Sequence, residues 1–192
     1  MDLLISILLG TRLFLFAAGG LAAGEHQASL SAPLIVITKQ HLIVNCRLLD
    51  GYPRQLRHLA QSSTPILVYL FVELRGQGKT GPTLSSVTES MLSYDNVAKV
   101  YKIKMSNRDD TLVRSTLDSA VDRAGDFREM SLGFPGTLNP AQEYQFVLFA
   151  VLGKAPIDAL EGKAVDLMYY WDYKRPTVKT EWYRGAQLVR AK

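Results

Sequence analysis

Apolar residues run almost unbroken from Leu3 to Ala23, and from there the chain breaks into short alternating segments. LIVI (34–37) and HLIVNCRLL (41–49) are rich in Ile, Val and Leu and predict one bent strand or a strand pair. In GYPRQLRHLAQSS the period changes. Pro53 suits a first helical turn, and Leu56, Leu59 and Ala60 at i, i+3 and i+4 give a short helix one apolar face. Pro65 ends it. ILVYLFVELR (66–75) then places Ile66, Val68, Leu70, Val72 and Leu74 on one side and Leu67, Tyr69 and Phe71 on the other. A strand apolar on both faces belongs centrally in a packed sheet.

GQGKTGPT (76–83) turns the chain, and LSSVTESMLSYD and VAKVYKIKM (97–105) predict further strands. Val113, Leu117, Ala120, Val121 and Ala124 recur at helical spacing; Ser115 with Asp118 resembles a capping box, and Gly125 supplies a stop. FREMSL (127–132), EYQFVLFAVL (143–152), VDLMYYWDY (165–173) and TVKTEWY (177–183) read as strands, with PIDALEG as a turn between two of them. Many short strands and two short helices, in no regular alternation, predict an antiparallel β-sandwich. The alternative is an α+β fold with the helices on one sheet face.

The leader carries one charge in its apolar run, Arg12. In a simple transmembrane span that residue sits near the midplane, at a cost of about 2.5–3.5 kcal/mol. Taken instead as the positive start of an export signal, Arg12 is followed by an apolar run, residues 13–23, and by small residues suited to cleavage near Ala23 or Gly24. Residues 1–24 thus read as a signal peptide, or else as an uncleaved N-terminal anchor associating with the inner membrane through residues 1–23. Residues 25–33 read as a flexible lead and 34–192 as a single β-sandwich domain. The expected location is periplasmic or otherwise extracytoplasmic.

Charge and chemistry narrow the reading. The net +4 comes from 22 basic and 18 acidic residues that interleave, so no block of like charge marks a nucleic-acid partner. A lone Cys46 forms neither an intramolecular disulfide nor a metal-binding Cys cluster, and reads as a small apolar side chain in a strand. GQGKT suggests a phosphate cradle, but its first required Gly falls at Glu73, and Gly81 and Pro82 stand where the helix must begin. His26, His41 and His58 have no ligand spacing, and Asn107, Asp109 and Asp110 read as helix capping rather than a calcium loop. No catalytic residue, nucleotide site, metal or cofactor is assigned. The segment 169–185 concentrates Trp, Tyr and basic side chains. Tyr170, Trp171, Tyr173, Lys174, Arg175, Trp182, Tyr183 and Arg184 are its candidate contact residues, against the plainer reading of cross-strand packing.

Five stretches carry a family resemblance: LLDGYPRQLRHLAQSSTPILVYLFVELR (48–75), SYDNVAKVYKI (93–103), the helix TLDSAVDRAG, LNPAQEYQFVLFAVLGKAPIDALEG (138–162), and the spaced Trp171 and Trp182. Together they resemble exported bacterial proteins of the domain-of-unknown-function family numbered 4390. The pattern departs at Ser-Ser-Thr-Pro (62–65), where that family commonly carries a Gly before the strand, and in the leader. The resemblance implies a signal-bearing, mostly β domain, often encoded beside a membrane sensor kinase, with no established activity. The resulting expectation is a noncatalytic domain that binds a protein or another envelope component. Its sheet edges are available for pairing with another chain's strand. The competing readings are a hydrolase acting on envelope polymers through carboxylates distant in sequence, and a membrane-peripheral structural protein.

Overall fold

The computed structural model describes residues 27–156 and 164–189. The leader and nearly all of the PIDALEG turn lie outside them. Two antiparallel sheets dominate, and the chain is mostly β with three short helices. Among the described residues, no helix is long and apolar enough to cross a membrane.

The larger sheet has six strands in the order β12-β9-β4-β5-β6-β7, comprising β4 (Ile66–Gly76), β5 (Leu84–Asp95), β6 (Val100–Met105), β7 (Thr111–Arg114), β9 (Glu143–Leu152) and β12 (Thr177–Arg184). β4 is central, as its two apolar faces require. Ile66, Val68, Leu70, Val72 and Leu74 all point inward and are buried, each worth about 1.5–3 kcal/mol of transfer free energy. In the smaller sheet β3 (Leu42–Leu49) is flanked on one side by β1 (Ser29–Leu30) and β2 (Leu34–Ile37), and on the other by β8 (Asp126–Ser131). Its alternation sends Leu42, Val44, Cys46 and Leu48 into the core. Helices α1 (Arg54–Gln61) and α2 (Leu117–Ala124) bury Leu56, Ala60, Ala120 and Ala124 in the same cluster. A short α3 (Gly185–Val189) follows β12 and buries Leu188.

Several local expectations are revised. Within the segment read as a flexible lead, Ser29–Leu30 form β1, which pairs with β3. Val113 belongs to β7, and α2 begins only at Leu117. Its N-cap is Thr116, whose side chain accepts from Ser119 N, in place of Ser115. Pro53 stands at the N-cap of α1 rather than inside its first turn. Asn107 caps no helix: its Nδ2 donates to the Arg128 carbonyl at 2.7 Å and ties the β6–β7 loop to β8. Residues 165–173 are not one strand. β11 (Ala164–Asp166) pairs with β10 (Lys154–Pro156), and a 3-10 helix follows over Leu167–Trp171. Asp166 caps that helix by accepting from Met168 N at 2.9 Å, and Asp172 with φ 50 ends it.

Candidate binding surface

Strand register assigns every residue of the larger sheet to a face. Opposite the core face, Leu67, Tyr69 and Phe71 of β4 lie beside Met91, Glu89 and Val87 of β5, and Tyr69 and Phe71 lie beside Val151 and Phe149 of β9. Phe71 and Phe149 stack with centroids 4.8 Å apart and planes within 7°. Val87 next to them is 51% exposed, and Trp182, on β12 across from Gln145, is 45% exposed. Val113 on β7 adds another exposed side chain opposite Lys102. The apolar character of β4 thus continues on the outer face from Val87 through Phe71 to Phe149, with Val113 and Trp182 exposed separately on the same face. Contiguous apolar surface of this kind marks interaction sites.

The charges on this face are unevenly spent. Glu73 is bonded by Arg75 Nε at 2.7 Å and Asp95 by Lys102 Nζ at 2.7 Å, and Glu89 lies across from Tyr69. Partial burial, then the Glu89 charge, raises the Tyr69 phenol above its usual value. Hydrogen bonding from Lys102, with the Ala98 and Val97 amides, lowers the Asp95 carboxyl to about 2. Among the described residues, Lys104 and Lys179 on this face have no ion pair. Lys104 and Lys179 are therefore left available, as is Glu143 on the same face, while Glu73 and Asp95 are engaged by Arg75 and Lys102.

The aromatic-basic segment is divided by the fold. Trp171 is 5% exposed, and its Nε1 donates to the Gly51 carbonyl at 2.9 Å, so it is a core residue and not a contact. Tyr183 turns inward edge-on to Phe146, at 5.9 Å between centroids. Tyr170, Lys174 and Arg175 border two small clefts, of about 130 and 270 Å³, that Gln27 and Ala28 also line; Tyr173 is exposed nearby with φ 57. Trp182 and Arg184 lie at the far end of β12, where Trp182 stands on the same outer face beside Gln145, separated from Phe149 by Val147 and Lys179. Sequence reasoning missed Phe71, Val87 and Phe149. Their alternation was visible, but not which of the two apolar faces would stay open.

A wider groove of about 720 Å³ runs between the β3–α1 loop and α2. Its arginines are already occupied: Arg47 pairs with Asp122, and Arg57 Nη2 lies 2.7 Å from Asp118. Tyr52 in its wall has a buried hydroxyl with no hydrogen-bond partner among the described residues, and burial pushes that phenol well up. His41 Nδ1 meets Ser131 Oγ at 3.0 Å and His58 meets Arg54, while His26 lies outside the described residues. The GQGKT stretch closes the β4–β5 hairpin, with Thr83 N donating to Leu74 O, and leads into a strand rather than a helix. Among the described residues no group of three or more His, Cys, Asp or Glu is placed to hold a metal ion. Compared with protein-family models, curated proteins and solved structures, the chain matches none.

Proposed function

We propose that this chain is an exported, noncatalytic binding domain of the bacterial envelope. In this reading the outer face of its larger sheet takes a protein partner that presents apolar side chains ringed by carboxylates. The supporting observation is the stacked Phe71–Phe149 pair with exposed Val87 and Trp182, on the side of β4 that the core does not use. The uncommitted Lys104 and Lys179 favour an acidic rim on that partner, and such complementarity steers encounter and register. The leader read as an export signal supplies the compartment. The resemblance to the family numbered 4390 directs attention to the extracytoplasmic part of a membrane sensor kinase.

A photo-cross-linking residue placed at Val87 in the full chain, in cells that produce it, tests this reading. The expected result is a discrete adduct to one protein, through an apolar segment flanked by Asp or Glu. Its yield falls when Lys104 and Lys179 are both changed to Glu. Adducts only to lipid or polymer, or an adduct indifferent to those two substitutions, overturn the assignment.

A further inference from the structure

The second sheet has an edge of a different kind. β2 carries no charge, and Leu34 and Val36 are 63% and 40% exposed. At the turn into β3, Thr38 N donates to His41 O at 2.9 Å, in the same register that sets Val36 opposite Ile43 and Leu34 opposite Asn45. Hydrogen-bonded and non-hydrogen-bonded pairs alternate along an antiparallel ladder. The Val36–Ile43 and Leu34–Asn45 pairs therefore hold β2 to β3, and the N–H and C=O groups of Ile35 and Ile37 point the other way. Leu42, opposite Ile37, confirms the phase: its N–H donates to Gly133 O and its carbonyl accepts from Leu132 N, both on the β8 side. On the outward side of β2 no strand pairs among the described residues.

Edges left open in folded proteins are normally blunted by charge, bulges or short length. β12 carries Lys179, Glu181 and Arg184 and is irregular between Lys179 and Trp182; β7 ends on Arg114, whose guanidinium bonds the Val113 carbonyl at 2.8 Å. β2 has only its shortness.

We propose that a second copy of this chain pairs with β2, antiparallel, about a two-fold axis through Val36. That register sets Ile35 opposite Ile37 of the second copy, twice, so all four outward groups exchange N–H···O=C bonds. Val36 then meets its own counterpart on the axis, and Leu34 lies opposite Thr38. Centring the axis on Ile35 places Pro33, which has no N–H, opposite Ile37 and leaves a carbonyl without a donor. Centring it on Ile37 places Ile35 opposite Lys39, in the bend beyond the strand, so the strand's own chemistry selects one register. Four residues a side fall short of the roughly 1,000 Å² of a stable interface, so this is a weak pairing that grows with concentration. It is independent of the outer face of the larger sheet.

Disulfide trapping reads the register directly. In non-hydrogen-bonded antiparallel pairs the Cα atoms lie about 4.5 Å apart, within disulfide range. Thiols at position 36 of two paired copies are therefore adjacent, whereas those at position 34 are separated along the strands. Cys46 is buried and does not compete. Under mild oxidation of the full chain, Val36→Cys is expected to give linked dimer about tenfold faster than Leu34→Cys, since pairing raises the effective thiol concentration. Chance collision predicts the reverse, because Leu34 is the more exposed. Val36→Lys, with folding confirmed by circular dichroism, is expected to lower the dimer fraction in sedimentation equilibrium at high concentration. Equal or faster linking at position 34, no linking at either, or a dimer fraction unchanged by Val36→Lys overturns the proposal.

Discussion

Trp171 donates its indole N–H to the Gly51 carbonyl inside the core, and Trp182, eleven positions on, lies 45% exposed. Their substitutions separate accordingly. Trp171→Ala is expected to cost about 3–5 kcal/mol in urea unfolding, through the lost ring and the stranded carbonyl. Trp182→Ala is expected to cost less than about 1 kcal/mol. Similar losses at both positions contradict the difference in burial. Asp95 carries the pH dependence. Its folded-state value near 2 lies below the ordinary carboxylate value, so its contribution to stability is full above pH 4 and is lost as pH falls through about 2. Lys102→Met removes the largest cause and is expected to bring the carboxyl back toward its usual range, as followed by carbon NMR of that side chain.

At the scale of elements, regular periodicity was decisive where one face met one environment. β5 and β9 span the segments read from their alternation, and β4 extends one residue beyond it to Gly76. The reading failed where a local hydrogen bond overruled composition. The run at 165–173 looks like a strand because its residues are large and apolar. Asp166 nevertheless captures the Met168 amide, and the left-handed Asp172 and Tyr173 turn the chain before Pro176. β8 shows the complementary case. Strict alternation puts Phe127 and Glu129 on one face, but Glu129 adopts φ 59 and donates its N–H to Asn45 Oδ1 at 2.8 Å. The irregularity shifts the register so that Phe127 and Met130 both enter the core.

Across the whole molecule, the two faces of one sheet meet different environments, and adjacent residues of β5 test the difference. Val87 lies on the open face and Thr88 is buried on the core face. Val87→Asp is expected to leave the urea midpoint nearly unchanged, within about 0.5 kcal/mol. Thr88→Asp places an unpaired carboxylate among apolar side chains and is expected to lower stability by several kcal/mol or prevent folding. Equal effects would mean that the outer face is covered. By itself, the sequence determined the antiparallel β-rich class, the central strand at 66–75, the two principal helices and the failure of GQGKT as a phosphate cradle. Each follows from spacing along the chain or from backbone chemistry that acts within a few residues. Only the tertiary structure decided which apolar face of β4 is buried, which tryptophan packs inside and which strand edge remains open. A strand's period of two marks both faces alike, and the choice between them rests on what other, distant segments bring against it.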